Sequence, residues 1–596
     1  MCGIFGIITK EEQVLGPILI DAAKKLSYRG YDSVGCATLT KDGHITLKKD
    51  VGKVDEVAPR LNFKDMVGSR GIVQLRWATF GVPSQANSQP HLDSKGLMVG
   101  AHNGNVVNNL ELRQQFIEEG MIVRSDNDGE TCVHAVERYL IKGFKIVDAI
   151  RNAYNDLMGD YSFIIGITGE EKLYAFKKGS GLVAGITKDA TCVSSDLPSI
   201  LPITKEILNI EDGEIVILQP DKIELRRVKD GAVIERQFET ITDSMEAAQK
   251  GGYAHFMLKE IHEQPQVSRE LIHLLDNSKS VIDMAERMVN ARHLYLIGCG
   301  TSYHACILGS YYLANLAGKP AVPVLAPQFG SQYGPTLGPD DVGIFVSQSG
   351  ETKDVLNALS IAKSKGAQIF GLVNVIGSSL NKQSELYLPL TCGYEISVPA
   401  TKTYTNQVIT FLYLALKMGQ HKTSGLHELP GFIERTITMV EEQIQDMESM
   451  LDSWNDMYIL GYGSTYSVAL EGALKLKEVT DIHSEGLLST EFKHGPLAVV
   501  REGYPIIFIA GPEDVSLIIS GINEVACRGA QTIVVGEENT RLRSNSGGLI
   551  RIPTAGSLYN PILAIIPLQL LAYHISISRG FNPDYPRNLS KTLTVD

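Results

Sequence analysis

The stretch LYLIGCGTSYHA, residues 294–305, decides the fold of the C-terminal half of this sequence. An apolar, β-forming run ends in a Gly-x-Gly turn and leads into a helical pattern, as a parallel strand does when it joins its helix. A second copy, MYILGYGSTYSV, begins 163 residues later at residue 457. The same offset separates two more pairs of segments: KGAQ (365–368) from RGAQ (528–531), and the apolar runs 344–346 and 507–509. One constant offset over three features indicates a duplicated domain.

Each copy alternates apolar strands with helical patterns, which predicts an α/β fold with a parallel sheet wound on both faces. We place the first copy at residues 283–420 and the second at 445–585, followed by a tail at 586–596. Residues 239–282 are predicted to form a linker and leading helices. The block at 2–238 has short alternating runs and many turns, so it is predicted to be a domain of another kind.

Bulk composition excludes several classes of function. The 596 residues carry a net charge of −13 with dispersed basic residues, which argues against a nucleic-acid partner. The most apolar late stretch, residues 561–577, is interrupted by Pro567, Gln569 and His574, so we expect a buried core helix and no membrane span. Eight scattered cysteines without a CxxC pair or a secretory signal predict free thiols and a cytoplasmic location.

Small hydroxyl side chains follow two strands of the first copy. The turn after the first strand reads Cys299-Gly300-Thr301-Ser302, and the next strand ends in Ser347-Gln348-Ser349-Gly350-Glu351-Thr352. Glycine turns that open helices at strand ends bind phosphate through backbone N–H groups and hydroxyls. N-capping of the helices is the alternative for one such cluster, but two at adjacent strand ends favour a phosphate site. The candidate ligands are Thr301, Ser302, Ser347, Gln348, Ser349 and Thr352.

The second copy carries carboxylates where the first carries hydroxyls. Residues 510–514 read Ala-Gly-Pro-Glu-Asp, which would repel phosphate, so we expect this copy to have lost its own phosphate site. It adds Glu471, Lys475 and Glu478, whose spacing places them on one helix face. A surface ion-pair network is the alternative for these three residues. His494, in a Lys-His-Gly-Pro turn, could also be incidental.

These motifs resemble a known family over the whole chain. GCGTSYHA, SQSGET, EGALKLKE, FKHGPLA and the tail DYPRNLSK (584–591) are similar to the paired sugar isomerase (SIS) domains of the glutamine–fructose-6-phosphate aminotransferase (isomerizing) family. The resemblance implies transfer of the amide nitrogen of L-glutamine to fructose 6-phosphate, giving glucosamine 6-phosphate and L-glutamate. This is the first step of amino-sugar synthesis.

The N-terminal block contains features of a matching ammonia source. The sequence opens Met1-Cys2, and removal of Met1 would leave Cys2 with a free α-amine of pKa about 7.7–8.0, able to accept the thiol proton. The segments RGYDS (29–33), RWAT (76–79), HNG (102–104) and SDND (125–128) resemble N-terminal-nucleophile glutamine amidotransferases. The resemblance implies an αββα glutaminase sandwich followed by the two SIS domains.

The resemblance also assigns roles in the glutaminase block. Cys2 would be the nucleophile, with Asn103 and the Gly104 N–H as the oxyanion hole. The substrate-binding residues would be Arg76 on the glutamine carboxylate, Asp128 on its α-amino group, Thr79, and Trp77, which would help gate a closed ammonia route to the sugar site.

In the sugar half the resemblance implies a proton shuttle. His494, supplied by a neighbouring subunit, would open the sugar ring, and Glu478 would move a proton between C1 and C2. Glu471 and Lys475 would position and tune Glu478. The carbonyl at C2 would condense with Lys591 or directly with ammonia. No metal or redox cofactor is implied, and the shared histidine implies a homodimer or larger homo-oligomer.

The sequence departs from the family pattern at several positions. Gln74, Leu75 and Phe80 stand where the family usually has His, Thr and His, so two imidazoles are missing beside the expected glutamine pocket. Pro399 and Ala400 replace Ala and Ser, which removes one hydroxyl near the expected sugar phosphate. We expect glutamine hydrolysis to persist, with its rate and glutamine affinity open.

Two other functions share parts of this pattern. A phosphoribosylpyrophosphate aminotransferase uses the same kind of N-terminal domain, but the repeat and the SQSGET cluster argue against it. A non-catalytic sugar-phosphate sensor uses similar paired domains, but it would not need Cys2, Glu478 and Lys591 together, and no helix-turn-helix pattern accompanies them.

Overall fold

Four β-sheets form the framework of this computed structural model, which describes residues 2–78, 80–240, 250–444 and 454–591. The chain divides into two compact units, one formed mainly by residues 1–249 and the other by residues 250–591. Thr79, part of the predicted linker (241–249), the start of the second predicted copy (445–453) and the end of the tail (592–596) lie outside the described residues.

The N-terminal unit contains two antiparallel sheets. The first has the strand order β15-β11-β9-β10-β1-β4-β2-β3 and the second the order β14-β13-β12-β8-β7-β6-β5. The strands are β1 Gly3–Val14, β2 Ser33–Leu39, β3 Ile45–Val51, β4 Val67–Arg76, β5 His91–Leu92, β6 Met98–Val106, β7 Gly159–Ile167, β8 Leu173–Lys178, β9 Val183–Ile186, β10 Ala190–Ser194, β11 Glu206–Asn209, β12 Glu214–Gln219, β13 Lys222–Arg227, β14 Val233–Ile234 and β15 Glu239–Thr240. The helices are α1 Gly16–Leu26, α2 Val54–Arg60, α3 Asn109–Glu118, α4 Asp128–Ile141 and α5 Ile146–Asp156.

Strand β1 shows how this unit forms four layers. Its side chains alternate between two buried faces, as the period of two requires. Ile4 and Ile8 pack between the two sheets with Ile164 of β7, whereas Phe5 packs on the outer face with Leu19 of α1. Helices α3–α5 cover the outer face of the second sheet. The predicted αββα sandwich is therefore confirmed.

The C-terminal unit contains two parallel five-stranded sheets, ordered β17-β16-β18-β19-β20 and β22-β21-β23-β24-β25. The strands are β16 Leu294–Gly298, β17 Val322–Leu325, β18 Val342–Ser347, β19 Gln368–Val373, β20 Leu386–Pro389, β21 Asp456–Gly461, β22 His483–Leu488, β23 Pro505–Ile509, β24 Gln531–Glu537 and β25 Gly548–Ile552. The helices are α6 Phe256–Asp276, α7 Lys279–Asn290, α8 Gly300–Ala317, α9 Ala326–Tyr333, α10 Lys353–Ser364, α11 Ser379–Gln383, α12 Lys402–Met418, α13 Leu429–Ile444, α14 Thr465–Thr480, α15 Val515–Ala526, α16 Thr540–Asn545 and α17 Asn560–Ser578.

The internal repeat is confirmed at the level of structure. Both sheets have the same strand order, and β21, β23 and β24 occupy the positions of β16, β18 and β19. In β16, Leu294 and Leu296 pack on one face while Tyr295 and Ile297 pack on the other. Burial of both faces accounts for the uninterrupted apolar run and is typical of a doubly wound parallel sheet.

Helix α17 is apolar on all sides because it is enclosed by protein. It has the length and composition of a membrane-spanning segment, but 83% of its most apolar 18-residue window is buried inside the unit. Its polar Gln569 accepts a hydrogen bond from the side-chain amide of Gln264 on α6, at 2.9 Å. The apolar stretch is thus a core helix here, packed mainly on α14 and α13.

The close packing of α14 on α17 yields a stability prediction. A Cβ atom added at Gly472 of α14 would lie 2.1 Å from Cδ1 of Leu568 on α17, so the two helices need a glycine at their contact. We expect Gly472→Ala to destabilise the protein by about 1–3 kcal/mol, because overpacking outweighs the gain of about 1 kcal/mol in helix propensity. Chemical denaturation of the two proteins measures this difference.

Gly431 of α13 is the matched control for that substitution. A Cβ atom there would meet only the end of the Arg435 side chain, at an ordinary 3.7 Å. Gly431→Ala should therefore leave stability unchanged or raise it by up to about 1 kcal/mol. Equal effects of the two substitutions would contradict the packing argument.

Candidate active sites

Cys2 directly precedes β1 and is buried in contact with two other segments. Its backbone N–H donates to Oδ1 of Asn103 at 3.0 Å, and the backbone N–H of Trp77 donates to its Sγ at 3.4 Å. Pairing of β1 with β4 brings Cys2 beside Trp77, because Gly3 is opposite Leu75 in the register. Once Met1 is removed, the α-amine of Cys2 would occupy the position of the N–H that contacts Asn103.

Asn103 and Gly104 lie beside the Cys2 backbone in the second half of β6. The Asn103 side-chain amide donates one hydrogen to Oγ of Ser180 at 2.9 Å, which leaves its second hydrogen for an oxyanion. Gly104 has a φ of +143°, and a Cβ atom there would lie 2.1 Å from the carbonyl oxygen of Asp160. Only glycine fits this position, so the backbone at 103–104 can approach a substrate closely.

Burial raises the pKa of the Cys2 thiol above its ordinary value. The positive charge at the N-terminus, the Trp77 N–H and Arg76 act in the opposite direction, while Asp128 raises the pKa further. A buried thiol of this kind needs a base within reach to become a nucleophile. The α-amine that Met1 removal exposes on Cys2 itself is such a base.

The Arg76 guanidinium is buried and is directed at a loop backbone. Its terminal nitrogens donate to the carbonyl oxygens of Phe80, Gly81 at 2.7 Å and Val82 at 3.4 Å. Burial lowers the pKa of Arg76, and Cys2, Asp128 and Asp32 oppose that shift. A glutamine carboxylate at Arg76 would replace some of these carbonyl contacts, so substrate binding and the conformation of residues 80–82 are linked.

Asp128 begins α4 and is completely buried against the HNG segment. Its Oδ2 accepts from Nε2 of His102 at 3.1 Å and from the backbone N–H of Val106 at 3.0 Å. The Gln89 side-chain amide donates to Nδ1 of His102 at 2.9 Å, and its oxygen accepts from the His102 N–H at 2.7 Å. These contacts fix the His102 tautomer with its proton on Nε2, aimed at Asp128.

The replaced residues before Arg76 point to opposite faces of β4. The Gln74 side-chain amide donates to the carbonyl oxygen of His102 at 3.5 Å, so an amide fills the place beside the HNG backbone where the family usually has an imidazole. Leu75 is buried in the core beneath α1. Gln74 thus contacts the site, whereas Leu75 acts through packing.

In the C-terminal unit, Glu471, Lys475 and Glu478 lie on one face of α14, as their spacing predicts. Nζ of Lys475 is 3.3 Å from Oε1 of Glu471 and 2.6 Å from Oε2 of Glu478. Glu471 and Lys475 are fully buried and Glu478 is 17% exposed. The alternative of a surface ion-pair network is therefore wrong, because only Glu478 reaches solvent.

Burial raises the pKa of Glu478 above its ordinary value, while Lys475 acts in the opposite direction. Burial alone would lower the pKa of Lys475, but its two carboxylate partners raise it. Lys475 therefore remains an ammonium between them. Glu478 combines solvent access with a raised pKa. This combination suits a group that takes up and returns a proton.

The first copy completes this cluster through α8. Thr301 Oγ1 donates to Oε1 of Glu471 at 3.0 Å and accepts from Nζ of Lys475 at 3.1 Å. His304, which the sequence analysis did not single out, contacts Oε2 of Glu471 through Nδ1 at 2.8 Å. The Thr301 hydroxyl is thus already engaged by the cluster, and it joins the two copies into one site.

The two hydroxyl-rich loops lie at the same edge of their sheet, because β16 and β18 are neighbours. Ser302 Oγ accepts from the Gln407 side-chain amide at 3.0 Å, which leaves its own proton to donate. Ser347 Oγ is 3.0 Å from Oγ1 of Thr352. The loop turns at Gly350, whose φ is +69°. Gln348 and Ser349 are half-buried in this loop.

The corresponding loop of the second copy has a different charge. Asp514 precedes α15, and burial together with the neighbouring Glu513 raises the pKa of its carboxyl. A small cavity of about 90 Å³ beside this loop is lined by Glu537 and Glu538 as well. Carboxyl groups in place of hydroxyls disfavour a phosphate.

Lys591 at the end of the described tail lies against a carboxylate that the sequence analysis missed. Its Nζ is 2.6 Å from Oε2 of Glu395, and both side chains are buried, with 6% and 0% exposure. Lys591 also lowers the pKa of Glu478 through its charge, so the tail lysine lies in the electrostatic surroundings of the α14 cluster.

The tail is held in place by contacts with the ends of two helices. Asp584 accepts hydrogen bonds from the backbone N–H groups of Phe256 at 3.0 Å and Met257 at 2.8 Å, and so caps the start of α6. Arg587 forms an ion pair with Asp481 at the end of α14, at 2.6 Å. These contacts connect the position of Lys591 to the helix that carries Glu478.

Comparisons with known proteins agree with this geometry. The family described as SIS domain matches residues 287–417 and 450–579, and the family described as glutamine amidotransferase domain matches residues 74–202. The glutamine–fructose-6-phosphate aminotransferase (isomerizing) of Methanothermobacter thermautotrophicus is 39% identical, and that of Pyrococcus horikoshii 37%, each covering 100% of both chains. The chain belongs to the glutamine–fructose-6-phosphate aminotransferase (isomerizing) family.

A solved structure supports this family assignment for the C-terminal unit. The C-terminal domain of glucosamine-fructose-6-phosphate aminotransferase from Francisella tularensis aligns with a TM-score of 0.53 and 30% identity. The alignment covers 57% of this chain and 100% of that domain. Two SIS domains with the family's parallel sheets are therefore present in this member.

His494 of this family member is exposed in a short turn, Phe492–His494, after β22. Its backbone N–H donates to the carbonyl oxygen of Glu491 at 2.9 Å. Among the described residues, no hydrogen bond or ion pair connects its imidazole to Glu478 or Lys591. The chain therefore brings Glu471, Lys475 and Glu478 into contact and places Lys591 where its charge acts on Glu478. His494 lies outside that group.

A second buried carboxyl lies next to the Lys591 pair in this family member. Glu260 of α6 accepts from the backbone N–H groups of Ile396 at 2.5 Å and Ser397 at 3.2 Å, and from the Ser397 hydroxyl. Burial and the nearby Glu395 raise the pKa of Glu260 to about 7, against the opposing charges of Lys591 and Lys402.

The raised pKa of Glu260 predicts a pH-dependent stability. The unfolded chain loses this proton near its ordinary pKa of 4.5, whereas the folded protein keeps it up to about 7. Its stabilising contribution is therefore complete below pH 4.5 and lost as the pH rises through 7. We expect the melting temperature of the native protein, relative to that of Glu260→Gln, to fall between pH 5 and pH 8. Parallel melting curves across this range would contradict the assignment.

Proposed function

We propose that this protein transfers the amide nitrogen of L-glutamine to D-fructose 6-phosphate and isomerizes the product to D-glucosamine 6-phosphate. The observation that carries the proposal is that both parts of the chemistry are built into one chain. In one unit, the buried Cys2 contacts Asn103. In the other, Lys475 forms ion pairs with Glu471 and Glu478, and the charge of Lys591 acts on Glu478. Relatives named for this reaction match the chain over its whole length.

In the glutaminase unit, Cys2 attacks the amide carbon of glutamine after its thiol proton moves to its own α-amine. The remaining amide hydrogen of Asn103 and the Gly104 N–H stabilise the oxyanion. Collapse to a thioester releases ammonia, and water then releases glutamate. Arg76 holds the glutamine carboxylate and Asp128, oriented by His102, holds its ammonium group. Trp77 and Thr79 belong to the RWAT segment (76–79) with Arg76 and are proposed to bind glutamine as well.

The phosphate of the sugar binds at the shared edge of the first parallel sheet. Helices α8 and α10 begin there, and their N-termini favour a dianion. Ser302, at the start of α8, donates its free hydroxyl proton to the phosphate. The loop after β18 supplies the other hydrogen-bond donors. The proposed phosphate ligands in that second loop are Ser347, Gln348, Ser349 and Thr352. Thr301 contributes through Glu471 and Lys475, which its hydroxyl contacts.

The nitrogen chemistry takes place between the tail and α14. The Lys591 amine condenses with the C2 carbonyl, ammonia displaces it, and Glu478 removes a proton from C1 and returns it to C2. Lys475 compensates the charge of Glu478 in its ionised form. His494 opens the sugar ring from a second copy of the chain, which is consistent with its exposure here. A histidine supplied by a second copy implies a homodimer or larger homo-oligomer. We also propose a cytoplasmic location. The proton shuttle requires no redox cofactor.

Product formation with two nitrogen sources tests this proposal. The full-length protein is incubated with fructose 6-phosphate and either glutamine or an ammonium salt, and glucosamine 6-phosphate is measured. We expect product from both, with glutamine at least as effective as ammonium. Product from ammonium alone would place a defect in the glutamine pocket around Gln74 and Phe80. No product from either would refute the proposed reaction and leave the sugar half as a binder.

A further inference from the structure

We infer that Glu395 is the counter-ion of the Lys591 nitrogen, first as an ammonium and then as the protonated imine formed with the sugar. Glu395 would thereby be a positioning residue for the proposed reaction, and this inference rests on the function proposed above.

Lys591 and Glu395 form a buried ion pair. Lys591 and Glu395 are 6% and 0% exposed, and the Nζ to Oε2 distance is 2.6 Å. A buried ammonium is strongly unfavourable without an opposite charge in contact. Glu395 is the carboxylate that supplies this charge directly, so removing it would leave the lysine nitrogen without direct compensation.

The Glu395 carboxylate accepts hydrogen bonds from two residues. Oε1 of Glu395 accepts from the backbone N–H groups of Thr401 at 3.0 Å and Thr403 at 3.1 Å, and Oε2 accepts from the Thr403 hydroxyl at 2.7 Å. These donors surround the start of α12, where the helix dipole also favours an anion. Although burial acts in the opposite direction, Lys591 and these hydrogen bonds lower the pKa of Glu395. Glu395 is thus held in place by three hydrogen bonds that favour its ionised form.

Imine formation conserves the charge on the lysine nitrogen. The Lys591 ammonium and the C2 carbonyl give a protonated imine and water: the N–C2 bond forms, the C2–O bond breaks, and two nitrogen protons leave with the oxygen. The nitrogen carries one positive charge before and after the step. A single anion at Glu395 therefore compensates both states without accepting a proton, which suits a carboxylate with a lowered pKa.

The same charge matters in the next step, when ammonia displaces Lys591. A positive lysine nitrogen on C2 makes C2 a stronger electrophile, so ammonia attacks it more readily. A neutral imine is much less electrophilic. The groups with electrostatic influence on the pair are Glu260 of α6, Lys402 of α12, Glu478 of α14 and the buried thiol of Cys392. These four groups act on the pair through their charge, whereas Glu395 contacts Nζ of Lys591 directly.

The test follows the protonated imine as a function of pH. Full-length protein is incubated with fructose 6-phosphate and cyanoborohydride, which reduces protonated imines selectively, and the adduct on the peptide containing Lys591 is measured by mass spectrometry. Native protein should give the adduct up to a higher pH than Glu395→Gln. When the counter-ion is lost, the pH at which the adduct yield falls on the alkaline side should decrease by about 1–3 pH units. This fall is the alkaline limb of the pH profile. Glu395→Asp, which restores the charge, should recover part of the shift.

Thr403→Val is the matched control. It removes one hydrogen bond from the same Glu395 oxygen but leaves the charge. Its alkaline limb should stay within about 0.5 pH unit of native, because structural loosening alone does not remove the counter-ion. Coincident limbs for native protein and Glu395→Gln, with unchanged folding and glutaminase activity, would overturn the inference. If native protein makes glucosamine 6-phosphate without any Lys591 adduct, the counter-ion role fails while the overall reaction stands. If it makes no product, the proposed function itself fails.

Discussion

Replacing Cys2 by alanine is expected to lower glutamine-dependent synthesis by on the order of 10⁴-fold or more, with ammonium-dependent synthesis within about 2-fold of native. The thiol is the nucleophile of the proposed hydrolysis, and the Cys2 backbone N–H contacts the oxyanion residue Asn103. The sugar chemistry uses groups of the other unit. Assays of the same preparation with glutamine and with ammonium distinguish a loss of glutamine hydrolysis from a loss of the sugar chemistry.

Cys36→Ala is the control for this substitution. Cys36 is another buried thiol of the same unit, on β2, and it takes no part in the proposed chemistry. It should retain glutamine-dependent synthesis apart from a modest loss of stability. Glutaminase activity that survives in Cys2→Ala would remove Cys2 from the mechanism, whatever the result with Cys36.

Glu478→Gln is expected to lower synthesis from either nitrogen source by about 10²–10⁴-fold, while the affinity for fructose 6-phosphate changes less than about 3-fold. The amide keeps the shape of the side chain but cannot take a proton from C1. Burial raises the pKa of Glu478, so in native protein the base form is reached only above the ordinary pKa of 4.5. Activity should therefore fall on the acid side at a pH above 4.5. Steady-state rates and direct binding of the sugar phosphate measure the two quantities.

Glu485→Gln provides the comparison, since Glu485 is an exposed carboxylate on β22 of the same domain. It should leave the rate within about 2-fold of native. If native protein and Glu478→Gln bound fructose 6-phosphate equally and neither turned it over, the sensor alternative would replace the enzyme.

Local patterns in the sequence were sufficient for the architecture of the C-terminal unit. The duplicated strand–turn–helix at residues 294 and 457 predicted two parallel sheets, because buried strands and glycine turns leave periodic signals within a short window. The spacing of Glu471, Lys475 and Glu478 likewise predicted one helix face. These features depend on neighbours along the chain.

The residues that contact the site residues come from distant parts of the chain. Local sequence patterns therefore could not predict these contacts. Glu395 meets Lys591 across 196 residues, and His304 meets Glu471 across 167. Gln89 stands in a loop with no pattern of its own, yet it fixes the His102 tautomer. The roles assigned by family resemblance named the reacting groups, whereas the groups that orient and charge them became visible only through tertiary contacts.

The fate of the glutamine amide nitrogen shows whether the two units carry out one coupled reaction. Native full-length protein is incubated with fructose 6-phosphate, amide-¹⁵N-glutamine and an equal concentration of unlabelled ammonium, and the product is analysed by mass spectrometry. We expect glucosamine 6-phosphate with ¹⁵N on C2, together with glutamate. Glutamate formation without any labelled amino sugar would contradict this expectation, because the two chemistries would then not be parts of one reaction.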